Sequence, residues 1–348
     1  MKAAVFEDLE RIIVKQLPDP ELDAGSIIVK VESCGLCGSD IRNFHTGLRS
    51  GIKGQIMGHE IAGTVVNVHR TVSRFSSGDR VAIAPDVSCG ACAYCQRGWV
   101  NLCVAHRMIG THWPGGFAQF IHIPPEVLAH GMVHRMPEGL SFDEAALSEP
   151  ASSVLASQER AGVGSGDTVL IFGDGPIGCL HLEVARSRGA ARVILVGMGR
   201  LEQAKAFSPD FLIDAASQDP VAEVMKITSG LGADIAISAT PVAKTQAQAV
   251  EAVRKRGTVV LFGGLPKNNP MTAINANLIH YNEITVVGAF SYPAAMHEKA
   301  LMVIREGQIA AKKYFTMTVP LEGIVDGIEA AETGKALKVL VKPWLYIG

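Results

Sequence analysis

From residue 167 onward, short apolar runs alternate with longer stretches whose apolar residues recur every three or four positions. DTVLIFG (167–173), RVILVG (192–197), DFLID (210–214), ADIAISA (233–239), GTVVLFG (257–263) and EITVVGA (283–289) each read as a strand. Between the first two lies GDGPIGCLHLEVARSRG, a glycine turn opening a helix that ends at Gly189; RLEQAKAF and KTQAQAVEAVRKRG carry helical spacing as well. Runs so rich in Val, Ile and Leu suit strands covered on both faces by crossover helices. Six of them predict a doubly wound, parallel α/β sheet.

The first turn of this half carries Gly173, Gly175 and Gly178 in the pattern G-x-G-x-x-G, with Pro176 and Ile177 between the last two. The pattern alone is weak, but here it follows a strand and opens a helix. Gly173 permits the tight turn, Gly175 lets backbone approach a pyrophosphate, and Gly178 lets helix and strand pack closely. The helix N-terminus then meets the diphosphate. The second strand ends in Gly197-Met198-Gly199-Arg200, without the Asp or Glu that accepts hydrogen bonds from the ribose of NAD. Absence of an acid lifts repulsion against a 2′-phosphate, and Arg200 is placed to pair with one; the alternative is an ordinary first-turn arginine. NADP is therefore favoured, with NAD as the other candidate.

The bulk numbers narrow the setting. The chain has 348 residues, enough for two domains, and its 32 Lys and Arg nearly balance 34 Asp and Glu. No basic face or like-charge run points to nucleic acid or to an acidic membrane surface. MKAAVFEDLERIIVKQ lacks a signal-peptide core, and no apolar run of membrane-spanning length occurs. The expected compartment is the cytoplasm, where seven cysteines favour metal or thiol chemistry over a disulfide framework.

Four of those cysteines, Cys89, Cys92, Cys95 and Cys103, lie in CGACAYCQRGWVNLC at spacing C-x2-C-x2-C-x7-C. The surrounding residues have loop composition, too poor in apolar side chains for a core. Four thiolates close a tetrahedron around zinc and leave no place for substrate, so the site is structural. The rivals are an iron–sulfur cluster, whose bacterial run has a shorter final gap and a following proline, and four unrelated core cysteines.

A second set is more open. CGLCGSD (34–40) is followed, 22 residues after Cys37, by His59 in GHE. One Cys and one His suit two ligands of a catalytic zinc, which needs three plus an exchangeable position. Glu149 in LSEP supplies a third; Glu60 either coordinates instead or acts from behind, and Asp40 orients a ligand. Taken singly, Cys37 is equally a small core residue, His59 a satisfied histidine and Glu149 a helix-start carboxylate.

In this order the motifs G-L-C-G-S-D, G-H-E, the four-cysteine lobe and the glycine turn resemble the zinc-dependent medium-chain dehydrogenase/reductase family over nearly the whole length. S-E-P around Glu149 is similar to the polyol (sorbitol-type) dehydrogenases; liver-type alcohol dehydrogenases carry cysteine at that ligand position. The resemblance implies a GroES-like, mostly-β catalytic domain made of residues 1–150 and 290–348, split by a Rossmann domain at 151–289. It further implies a cleft with zinc at its floor, two zinc ions per subunit (one catalytic, one structural), and a homodimer or homotetramer. Pairing through EITVVGA would bury an apolar edge strand. Two departures stand out: Arg42 holds the position of a relay histidine, with His45 next along, and LRSGIKGQIM lacks a proline before G-H-E.

The chemistry implied is hydride transfer between a secondary alcohol (a polyol, sugar or cyclitol) and NAD(P), giving a ketone. Catalytic candidates are His59, Glu60 and Ser39, the last passing the proton outward from two residues past Cys37; a turn serine bonded to backbone is the alternative. Asp40, Arg42, His45, Arg49, Lys53, His112 and Trp113 are candidates for a polar substrate lining, with Arg49 and Lys53 able to meet a phosphate. A threonine-type amino-alcohol dehydrogenase shares these zinc sites. A non-catalytic dinucleotide-binding protein shares the fold but has no need of the open metal set.

Overall fold

The apolar runs after residue 167 form one six-stranded sheet, every neighbouring pair parallel. Its strands lie in the order Phe211–Asp214, Arg192–Gly197, Thr168–Phe172, Ala233–Ser238, Val253–Leu261, Thr285–Gly288. The order runs outward in both directions from Thr168–Phe172, so a crevice opens beyond that strand's carboxyl end, where Gly173 begins the turn. Val169, Leu170, Ile171, Val193, Ile194 and Leu195 are all fully buried, as expected of strands covered on both faces. This is the predicted doubly wound sheet.

One boundary differs. The helical spacing of KTQAQAVEAVRKRG suggests a helix through residue 257, yet the helix is Ala243–Ala252 and the next strand already begins at Val253. The Arg254 guanidinium pairs with Asp234 at 2.6 Å, tying this stretch to the neighbouring strand, and Arg256 takes a left-handed φ of 57°. A tertiary ion pair outweighs local helix preference here.

The computed structural model of the chain describes residues 1–48 and 51–345, and Arg49 lies outside the described residues. These fall into two units: Ser153–Ser291, which holds the parallel sheet, and the described residues of Met1–Ser152 with Tyr292–Gly348. No helix among the described residues is long and apolar enough to cross a membrane.

The second unit is mostly β. The strand Ile27–Gly35 is its hub, pairing antiparallel with Glu60–Val68, Phe120–Ile123 and Lys338–Val341. Its core gathers Ile27, Val29, Val31, Ile61, Val65, Val81 and Ile83. The register sets Gly35 opposite Glu60 on one side and opposite Leu340 on the other, which brings three distant segments together at the end of the hub strand. The fifteen-residue cysteine segment projects from a two-stranded ladder formed by Asp86–Val87 and Arg107–Met108. Within it only Cys103 is buried.

Candidate functional site

The strand Ile27–Gly35 runs into Leu36 and then Cys37, the N-cap of the helix Gly38–Thr46. Asp40, in the first turn, is 2% exposed and accepts from the Cys37 backbone N–H at 3.1 Å. An acid here suits the positive end of the helix. Its other oxygen lies 3.3 Å from His59 Nδ1, while Ser39 Oγ stands 3.2 Å from His59 Nε2. Asp40 thus fixes the ring so that Nε2 is presented on the side of Ser39. Burial would lower the His59 pKa, but the charges of Asp40 and Cys37 outweigh it and hold it well above the usual value. The pocket therefore calls for a cation, which a proton or a metal satisfies.

The two candidate carboxylates differ in their surroundings. Glu60 is fully buried with both oxygens against the Lys338 ammonium, at 2.7 and 2.6 Å. Lys338 also donates to Leu36 O at 3.3 Å. Burial opposes the lysine's charge, yet Glu60 and then Cys37 raise its pKa above the ordinary value. Gly35 makes room for this pair: a Cβ there would stand 1.9 Å from Glu60 Oε2. Hydrogen-bond geometry is met at Oε1 alone, so Oε2 keeps its charge partner without a full bond.

Glu149 has no such partner. It sits in the first turn of the helix Ser148–Ala161 and accepts from Tyr292 OH at 2.9 Å. Among the described residues no lysine or arginine pairs with it. Burial pushes its pKa up to about 7; His59 lowers it, while Glu60 and Asp86 add to the rise. A half-buried carboxylate with no lysine or arginine beside it is suited to act as a metal ligand. Cys37, His59 and Glu149 thus share one neighbourhood, with His59 buried and the other two half-buried, and offer the donor types of an open zinc site. They do not close tightly: among the described residues only the four-cysteine group brings such atoms within 4.8 Å of one another.

That group is compact. Cys89 and Cys95 Sγ are 3.9 Å apart, Cys92 and Cys95 3.5 Å. A tetrahedron on bonds of about 2.3 Å has edges of about 3.8 Å. Backbone N–H groups already point at the sulfurs, from Cys89 to Cys103 at 3.2 Å and from Cys92 to Cys89 at 3.3 Å. Donation from the backbone of Cys95 and Val104 draws Cys92 down to about 6, whereas burial pushes Cys103 up to about 11. With only one of its residues buried, the lobe gains little from burial, at about 1.5–3 kcal/mol for each large apolar side chain. A four-thiolate metal site would supply what the core does not.

In the parallel-sheet unit, Gly175 is the N-cap and Pro176 the first residue of the helix Pro176–Ser187; Ile177 and Gly178 follow. A Cβ on Gly178 would meet Gly173 O at 1.8 Å, so this glycine sets how closely helix and strand approach. A Cβ on Gly175 would meet nothing within 4 Å, which leaves that backbone open to a ligand. Asp174, between Gly173 and Gly175, turns toward the end of Arg192–Gly197. Its Oδ2 accepts from the backbone N–H of Met198 at 2.9 Å, Gly199 at 2.9 Å and Arg200 at 2.6 Å. The strand end lacks an acid in sequence, but not in space.

Several polar residues named for a substrate lining are engaged otherwise. Asp40 is the buried clamp just described. His45 is bridged by Glu10 at 3.0 Å and Glu332 at 2.8 Å, and Lys53 pairs with Asp8 at 2.5 Å. Arg107 lies 4.4 Å over the Trp113 ring, and His112 Nδ1 accepts from Met108 N at 3.1 Å. Sequence reasoning missed Lys338 and Tyr292, although a lysine inside the apolar run ALKVLV was a signal. It also passed over Asp174, hidden among the glycines.

Comparison with known proteins identifies the family and the fold. Residues 23–137 match the family described as Alcohol dehydrogenase GroES-like domain, and residues 176–306 match Zinc-binding dehydrogenase. The chain is 34% identical to sorbitol dehydrogenase of Bacillus subtilis over 99% of its length and 97% of that enzyme. It is 29% identical to D-xylulose reductase A of Aspergillus oryzae, over 97% of its own length and 95% of the other. A zinc-binding dehydrogenase of Sinorhizobium meliloti, solved with NADP bound, superposes with a TM-score of 0.90 at 31% identity, covering 98% of this chain and 99% of that one.

Proposed function

Since the chain belongs to the zinc-dependent medium-chain dehydrogenase/reductase family, in its polyol branch, we propose that Cys37, His59 and Glu149 hold its catalytic zinc. The family makes it an NAD(P)-dependent oxidoreductase of CH–OH groups. The substrate is read as a polyol or related secondary alcohol, in keeping with relatives named for sorbitol and D-xylulose. Bound at these residues, zinc supplies Lewis acidity that lowers the pKa of a substrate hydroxyl, and the dinucleotide supplies the hydride acceptor.

The chain's own residues do the rest. Cys37 and Glu149 bring the negative charge that a divalent ion needs, and Asp40 holds the His59 ring by Nδ1, leaving Nε2 to bind. Ser39 Oγ, beside Nε2, takes the hydroxyl proton and passes it outward. Glu60 acts from behind, as a charge fixed by Lys338, rather than as a ligand. Tyr292 orients Glu149. Cys89, Cys92, Cys95 and Cys103 hold a second zinc as a clasp for their lobe.

The unit Ser153–Ser291 is the dinucleotide-binding domain, with Gly173, Gly175, Pro176, Ile177 and Gly178 at the pyrophosphate and Gly197 and Arg200 toward the ribose. The remaining residues form the catalytic domain. A homodimer or homotetramer joined through Thr285–Gly288 is supported by that strand's place at the sheet edge, with Val286 37% exposed and Phe290 59% exposed nearby.

The single observation that carries the ligand choice is the contrast between Glu60, already paired with Lys338, and Glu149, half-buried with no lysine or arginine beside it. Glu149→Ala is expected to lose about one zinc per chain and to lower polyol-dependent reduction of NAD(P) at 340 nm by a hundredfold or more. Persistence of both zinc and turnover would reject Glu149 and return the role to Glu60.

A further inference from the structure

Three successive backbone N–H groups, of Met198, Gly199 and Arg200, converge on one point beyond the strand Arg192–Gly197. Convergent amides of this kind form an anion-binding concavity. Here the anion is internal: the Asp174 carboxylate, 9% exposed, takes all three through a single oxygen. The arrangement needs a bare strand end. A Cβ on Gly197 would lie 2.4 Å from Asp174 Cβ and 2.5 Å from Asp174 Oδ2. The chain has therefore no side chain where a dinucleotide fold ordinarily carries its ribose-binding acid, and brings a carboxylate to that place from the neighbouring turn.

Resting on the reading of Ser153–Ser291 as the dinucleotide domain, we propose that Asp174 sets this protein's discrimination between NAD and NADP. Two physical effects act in the same direction. Oδ2 fills the amide concavity that a 2′-phosphate would otherwise enter, and the carboxylate charge repels such a phosphate at short range. Oδ1 makes none of the three amide bonds and is the atom that accepts from a ribose 2′-hydroxyl. Discrimination thus resides in the residue between Gly173 and Gly175, not at the end of the second strand.

The test measures binding rather than turnover. Dissociation constants of NADH and NADPH are measured by quenching of intrinsic tryptophan fluorescence for the wild type, Asp174→Asn and Asp174→Ser. Melting of each cofactor-free protein checks the fold. Asp174→Asn keeps an oxygen for the amides and removes the charge; it is expected to shift the affinity ratio toward NADPH at least threefold. Asp174→Ser also opens the concavity and is expected to shift the ratio at least tenfold. Adenosine 2′,5′-bisphosphate against 5′-AMP should follow the same order. If Asp174→Ser does not fold, Asp174→Asn alone decides. Both dinucleotides bound by folded variants at an unchanged ratio overturn the proposal while leaving the dinucleotide reading intact. A wild type that binds neither overturns both.

Discussion

The Glu60 carboxylate and the Lys338 ammonium face each other at 2.6–2.7 Å, inside a sheet and out of contact with water. Two buried charges satisfy each other only as a pair, and removing one leaves the other stranded. Lys338→Met is therefore expected to destabilise the mostly-β unit by about 3–5 kcal/mol. The double variant Glu60→Gln, Lys338→Met should recover much of that loss. Urea unfolding of both variants beside the wild type checks this; a Lys338→Met protein as stable as wild type would mean the pair is not buried in solution.

The cysteine lobe should respond separately from the sheets. Cys103→Ser is expected to cost one zinc per chain by metal analysis and to open the lobe to trypsin at Arg97. The far-ultraviolet circular dichroism should hold, because the lobe contributes only two short 3-10 turns, Cys95–Arg97 and Val100–Leu102. Unchanged zinc and unchanged proteolysis would count against a metal clasp.

Gly175 and Gly178 stand three residues apart and predict opposite outcomes. Gly178→Ala places a methyl against Gly173 O and should destabilise the protein by about 1–3 kcal/mol. Gly175→Ala meets no protein atom, so stability should stay within about 1 kcal/mol. Its dinucleotide affinity should nonetheless fall about tenfold or more, because the methyl points at the backbone face that a pyrophosphate approaches. Calorimetry and fluorescence titration separate the two.

His181 gives the parallel-sheet unit a defined sensitivity to acid. It is fully buried, bonded to Gln158 at 3.2 Å and edge-on to Phe262 with ring centres 4.6 Å apart. Burial pushes its pKa down to about 3 from the ordinary 6.5. The folded state thus refuses a proton that the unfolded state accepts. Stability is full above about pH 6.5 and is lost as pH falls from there toward 3, by roughly 2 kcal/mol between about pH 7 and pH 5. The stability of wild type relative to His181→Leu should fall by that amount over the same interval in urea titrations. A constant difference would show that His181 does not titrate on unfolding.

Local chemistry was readable in the sequence, and long-range closure was not. The glycine turn, the parallel strands and the cysteine lobe each complete their pattern within thirty or so residues, so spacing alone exposes them. Asp40 lies three residues from the cysteine it braces. Lys338 joins Glu60 across 278 residues, and Tyr292 reaches Glu149 across 143. No periodicity links such partners. Asp174 was hidden differently: a strand-end acid is expected along its own strand, and here its replacement comes from the turn beside it. The overextended helix after residue 252 failed for the same reason, since Arg254 answers to Asp234 and not to its own neighbours.

The distance between Glu60 and Lys338 along the chain also sets an order of events during translation. Ser153–Ser291 is one uninterrupted stretch and can fold as soon as it clears the ribosome. The earlier β unit must wait, since Glu60 has no counter-ion until the ribosome has added 278 further residues. A nascent chain at that stage carries a finished parallel-sheet unit and a half-built β unit, and chaperones would meet the protein in that asymmetric condition.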